Sequence, residues 1–290
     1  RDVRPQWGLT AADHVYEYYL EFGLTRFLGV FYGQDARQVG PVRSARLFDA
    51  HIVRMYKSIF AFGFGDDQVV DELLASEFSH LLVIQRSDNC PPLCRIETGD
   101  SYNNLFADTA ALSQYITQRG DPNQRQNLDG LRFEDANMIT FGGGAAERIA
   151  VRYSDYSYHQ WEYDAASRRY NRSQEAETRL PGQEVYQPLI DSLTGQQVAA
   201  DNLVILLVNT DYYFKSSSTE IFNINLLGEG QAYALRDGKI FKITWKRTAP
   251  DAILSLVLSG APFPLNPGNV WYIVLGATSA ERKRDNASWQ

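Results

Sequence analysis

The chain has 290 residues, with 28 Lys plus Arg against 35 Asp plus Glu and a formal net charge of −7. Hydrophobic residues make up 44% and charged residues 22%, a globular composition rather than a disordered one, in a length that suits two domains. The negative balance and the lack of a long basic run exclude a nucleic-acid partner, and no run of 18 apolar residues is present to cross a membrane.

In chain order, Thr10 precedes residues 11–22, where Val15, Tyr18, Tyr19 and Phe22 fall at helical spacing and Gly23 is placed to stop a helix. Residues 24–32 form an apolar run rich in aromatics, read as a buried strand. Ser44 is placed to cap a long helix whose inner face carries Leu47, Ala50, Met55 and Ile59. A strand over 58–64, a helix over 69–78, a strand over 81–84 and a helix over 106–119 follow. This alternation predicts an α/β layer structure for the first half. Residues 118–137 are polar and read as a surface loop, and residues 137–141 lead into Gly142-Gly143-Gly144, taken as an interdomain turn.

The second half changes texture. Ile149, Val151 and Tyr153 alternate with Ala150 and Arg152, and Trp161 and Tyr163 alternate with Gln160 and Glu162. Asp237-Gly238 marks a hairpin between 231–236 and 239–247, with Phe241, Ile243 and Trp245 on one face of the second strand. Residues 203–208 and 271–275 read as buried strands. The expected fold is α/β: an N-terminal layered α/β domain, 1–145, followed by a β-rich (α+β) C-terminal domain, 146–290.

The arginines are the candidate site. Gly40 and Pro41 form a turn, and Arg43 and Arg46 would stand beside a helix start capped by Ser44, where free N–H groups and the helix dipole favour anions. Two guanidinium groups there suit bidentate binding of a carboxylate or phosphate, with Arg26 joining from the neighbouring strand. The competing expectation is that Glu17, Glu21 or Asp49 neutralises these arginines internally.

Other features point to less. Gly63-Phe64-Gly65-Asp66-Asp67 suits a helix cap better than a Mg²⁺ or Ca²⁺ site. His14, His51, His80 and His159 are dispersed, with no metal-ligand spacing, and no cofactor motif is present. Tyr153, Tyr156, Tyr158, Trp161, Tyr163 and Tyr170 could stack on sugars, but their alternation favours core packing. Cys90 and Cys94 are close enough either to bridge, as suits an oxidising compartment, or to remain two thiols.

Two stretches carry a family resemblance. One is Arg4-Pro5-Gln6-Trp7-Gly8-Leu9, followed by Ala12-Asp13-His14-Val15-Tyr16-Glu17, Glu21 and Thr25-Arg26-Phe27; the other is Gly40-Pro41-Val42-Arg43-Ser44-Ala45-Arg46. With Tyr170-Asn171-Arg172-Ser173, Asp191, Thr194-Gly195 and Asn202-Leu203-Val204 further on, the chain resembles the YerB-like family of bacterial lipoproteins, a family without an assigned function. The family tends to carry a Pro-His-Asn motif where this chain has Tyr102-Asn103-Asn104-Leu105, so Asn104 matches and the histidine is replaced by Asn103.

The resemblance implies an extracytoplasmic location, with any membrane contact made through a lipid anchor upstream of this chain. The expected function is cell-envelope binding or scaffolding without catalysis. The rival is a hydrolase or transferase acting on an anionic envelope substrate held by the arginines, with Glu17 or Glu21 as acid–base. The expected site comprises Arg26, Arg43, Ser44, Arg46, Glu17, Glu21 and Asn104, and the expected partner is an anionic small molecule or envelope polymer.

Overall fold

A computed structural model describes residues 3–97, 102–121, 123–135, 142–277 and 286–290. Along the chain run β1 (His14–Tyr19), β2 (Thr25–Val30), α1 (Asp49–Tyr56), β3 (Phe60–Phe62), α2 (Asp67–Leu74), β4 (Leu82–Ile84), β5 (Leu93–Arg95), β6 (Leu105–Ala107) and α3 (Thr109–Gln118). Then come β7 (Arg148–Arg152), β8 (Tyr158–Asp164), β9 (Arg169–Glu175), β10 (Tyr186–Pro188), β11 (Asn202–Val208), β12 (Thr210–Lys215) and β13 (Glu220–Ile224). The last are β14 (Gly228–Arg236), β15 (Lys239–Arg247), β16 (Ser255–Leu258), β17 (Val270–Gly276) and β18 (Asn286–Trp289).

Strands dominate. The larger sheet has the order β2-β1-β17-β11-β14-β15-β16, with two-residue strands added beside β15 and β16. It is mixed, because β17 runs parallel to both β1 and β11 while the other pairs are antiparallel. β11 and β17 are buried at every position, the continuous apolar pattern of strands covered on both faces. Asp237 and Gly238 both adopt positive φ, as a tight two-residue hairpin between β14 and β15 requires. The second sheet runs β10-β9-β8-β7-β18. The two sheets pack through Trp161 and Trp271, whose rings lie 5.1 Å apart. On the other face of the large sheet, Tyr16 and Tyr18 lie against Phe48, just ahead of α1.

Three expectations change. Residues 14–19 form a strand, not part of a helix: Val15 to Leu20 are all buried, so helical spacing is one pattern that can be read into a wholly buried run. Thr10 is no cap. Its hydroxyl and its N–H bond instead to the buried Asp191 carboxylate at 2.7 and 2.8 Å, and Gly8 N–H donates to the same group at 2.8 Å. The helix expected from Ser44 spans only Asp49–Tyr56, and Ser44 does not cap it. Asp49 itself accepts the Arg46 N–H at 2.8 Å, and Lys57 ends the helix in the left-handed conformation.

The α/β texture of the first half is local. Parallel β3 and β4 are joined through α2, which Asp66 caps by accepting the Gln68 N–H at 3.0 Å. These elements and α3 stand beside the large sheet, and β1 and β2 belong to that sheet, which therefore takes strands from both sides of residue 145. The polar segment after α3 is largely irregular, with Arg132–Phe133 pairing to Pro264–Leu265; residues 136–141 lie outside the described residues.

The aromatic cluster is core. Tyr153, Tyr158, Trp161 and Tyr170 are fully buried, and only Tyr156 stands well exposed. Cys90 and Cys94 form a disulfide.

Candidate functional site: an arginine-lined cleft at the sheet edge

β2 is the outermost strand of the large sheet, and a cleft of about 1180 Å³ runs along it. One side is made by the segment through Arg43, Ser44 and Arg46, the other by Arg172, Gln174 and Glu175 of β9. Of the expected site residues, Glu17, Glu21, Arg26, Arg43, Ser44 and Arg46 all line it. Asn104 is not among the lining residues: its side chain accepts a hydrogen bond from Arg95 Nη1 at 2.8 Å.

The arginines differ in how they are held. Arg46 pairs with Glu21, Nη2 to Oε1 at 2.8 Å. Arg26 reaches across from β2 and donates through Nη1 to the Ser44 carbonyl. Burial lowers the Arg26 pKa, and the nearby Arg46 and Arg43 charges push the same way, against Tyr18 and Asp49. Arg43 donates to Asn103 Oδ1 at 2.8 Å, and its guanidinium lies 4.3 Å from the centre of the Tyr102 ring. Neither Arg26 nor Arg43 has a carboxylate ion-pair partner among the described residues.

Asp49 sits behind them, buried, and accepts from Tyr18 OH at 2.7 Å and from the Arg46 N–H. Burial raises its pKa, while those two donors and the flanking arginines work in the opposite sense.

Glu17 faces the second sheet instead. Its neighbours on β1, Tyr16 and Tyr18, point toward α1, so strand alternation sends Glu17 the other way. There it receives Arg172 Nη2 at 3.0 and 3.1 Å, Trp271 Nε1 at 3.1 Å and His159 Nδ1 at 3.3 Å. Burial alone would raise the Glu17 pKa; Arg172 and His159 bring it down to about 2. Arg172 is also packed against Phe27, Trp271 and Trp161, 4.9 to 5.7 Å from the ring centres. Its Nε and Nη1 have no hydrogen-bond partner among the described residues. Glu175 is held by Arg4.

Among the described residues, Glu17, Glu21, Asp49 and Glu175 are thus engaged, while the Arg26 and Arg43 guanidinium groups have no carboxylate ion-pair partner. The arrangement suits holding an anion. The carboxylates nearest the arginines, Glu17, Asp49 and Glu21, are each held by a hydrogen-bond or ion-pair donor. The sequence reading missed Arg172 as a lining residue of this cleft and His159 as a partner of Glu17. Arg172 did stand in the Tyr170-Asn171-Arg172-Ser173 segment that carries the resemblance, but strand spacing alone gave no reason to bring it to Glu17.

The chain belongs to the family described as protein of unknown function DUF3048, whose N-terminal domain matches residues 1–122 and whose C-terminal domain matches residues 149–272. This is the YerB-like family that the arginine motifs resemble. "Putative lipoprotein YerB" of Bacillus subtilis (strain 168) is 24% identical over 283 residues, covering 93% of this chain and 76% of that protein. The crystal structure of the Bacillus subtilis YerB protein superposes with a TM-score of 0.80 at 22% identity, over 99% of this chain and 89% of that one, so the two share a fold.

Proposed function

We propose that this protein is an extracytoplasmic binding protein of the cell envelope, and that its cleft holds an anionic group of a small molecule or envelope polymer. The observation that carries the reading is that Arg26 and Arg43 line one large cleft without carboxylate ion-pair partners among the described residues, on a chain of net charge −7. A cationic focus on an acidic protein attracts and orients anions. The lipoprotein name of the Bacillus subtilis relative and the Cys90–Cys94 disulfide support a location outside the cytoplasm. Binding is favoured over hydrolysis or group transfer because Glu17 is held by Arg172 and Glu21 by Arg46, which takes both from the acid–base role.

The test is thermal unfolding in rising inorganic phosphate, at constant ionic strength. A ligand at 100 times its Kd stabilises the folded state by about 2.7 kcal/mol. Arg43→Ala should melt close to the parent without phosphate and lose the phosphate response. Arg148→Ala, which removes an exposed pair with Glu162, should keep the response. An unchanged phosphate response in Arg43→Ala and Arg26→Ala would place anion binding elsewhere.

A further inference from the structure

We infer that the cleft takes its partner as an added β-strand: an extended acidic peptide segment hydrogen-bonded along the free edge of β2. This rests on reading the cleft as an anion site, and it names what carries the anion.

The edge is open. Among the described residues β2 pairs only with β1, in the register His14↔Val30 through Tyr19↔Thr25. Leu20 N–H donates to the Leu24 carbonyl at 2.8 Å, which places the even-numbered residues of β2 in the hydrogen-bonded positions toward β1. The N–H and C=O groups of Thr25, Phe27 and Gly29 therefore face away from the sheet, and they have no partner among the described residues. All three residues line the cleft. Exposed edges are commonly blunted by Lys, Pro or a covering element; β2 has neither residue and borders a cleft instead.

The two sides of the edge match an acidic strand. Arg26 lies on the side of Arg43 and Arg46, as its bond to Ser44 shows. Phe27 lies on the opposite side, edge-on to Trp271 at 5.2 Å and 4.9 Å from Arg172. A strand added to β2 would present successive side chains to these two sides in turn. One set would meet the guanidinium groups of Arg26 and Arg43. The other would meet the Phe27 side, where Arg172 keeps Nε and Nη1 unpartnered although it is almost wholly buried. The cleft of about 1180 Å³ exceeds the ~300–1,000 Å³ of small-molecule pockets.

The probe is a labelled, end-capped hexapeptide of alternating Glu and Val, measured by fluorescence anisotropy against the whole protein and Arg43→Ala. Two further peptides carry N-methyl groups on one or the other alternate set of amides, and a fourth has Gln for Glu. Methylating the set that pairs with β2 should weaken binding about tenfold or more, while methylating the outward set changes it little. The Gln peptide and the Arg43→Ala protein should each lose about as much. Equal effects of the two methylation patterns overturn strand addition, and equal binding of the Gln peptide overturns the acidic preference. If phosphate stabilises the protein through Arg43 but no peptide binds, the inference fails and the anion site stands. If neither binds, both fall.

Discussion

Glu17 of β1 and Arg172 of β9 meet between the two sheets, where one guanidinium nitrogen donates to both carboxylate oxygens. Each residue is almost wholly removed from water, so each charge depends on the other. Arg172→Met should destabilise the protein by about 3–5 kcal/mol, because it leaves the Glu17 carboxylate buried with too few donors. Adding Glu17→Gln should recover part of that loss. Urea unfolding at pH 7 measures both, and a single variant within about 1 kcal/mol of the parent would refute the pairing's importance.

Acid should weaken the fold in two separate windows. Burial holds the His14 pKa at about 4, against an ordinary value of 6.5. Below pH 6.5 the unfolded chain takes up a proton at this histidine that the folded chain refuses, so stability is full above that pH and falls toward pH 4, by about 3 kcal/mol for this residue. His51, also lowered to about 4, acts in the same direction. Glu17, at about 2 folded against 4.5 ordinarily, contributes fully above pH 4.5 and is lost only as pH falls toward 2. His14→Phe keeps a ring beside Tyr56 and Tyr272 and should reduce the loss in the upper window, leaving the His51 share of it and the lower window in place. Urea midpoints at pH 7, 5 and 4 test this; an unchanged slope in the variant would count against it.

Asp191 fastens the N-terminal segment by accepting from Gly8 N–H, Thr10 N–H, the Thr10 hydroxyl and Leu193 N–H. Asp191→Ala strands the buried Gly8 donor and should cost about 2–3 kcal/mol, with Asp191→Asn losing less. Hydrogen exchange should show the loss first in residues 6–12. Protection there equal to the parent's would mean that the carboxylate is not the fastening.

Cleavage within residues 119–132 should leave two pieces that stay together. β1 and β2 lie in one sheet with β17 and β11, so the cut crosses no strand of the large sheet and releases none of its hydrogen bonds. Gel filtration after limited proteolysis should give one peak at the parent's volume. Separate peaks under native buffer would show that the shared sheet does not hold the halves.

Much of the second half was legible because its strands obey simple rules. β15 alternates, β11 and β17 are continuously apolar, and Asp237-Gly238 fits its turn. The first element was misread because a strand buried on both faces has no polar side to betray its period. That error moved Glu17. On a helix it would share a face with Glu21, whereas on β1 it turns to the second sheet and Arg172. The arginines of residues 43–46 come together with Arg26 along one cleft, and their closeness in sequence made that grouping easy to expect. The cap was misread, because Asp49 supplies to Arg46 the acceptor expected of Ser44. Arg172 belongs to the site through a pairing 155 positions long, and nothing in the local sequence marks such a partner.

The parallel pairing of β1 with β17 also sets an order of events. Glu17 and Trp271, bonded across that pair, are separated by 254 positions. At about 5–20 residues per second, a ribosome needs roughly 10–50 s to make the strand that completes what the first hairpin began. Until then β1 lacks its neighbour on that edge, and Tyr16 lacks Tyr272, the ring it stacks on in the finished fold. A molecule built this way closes its central sheet only when its last long strand arrives.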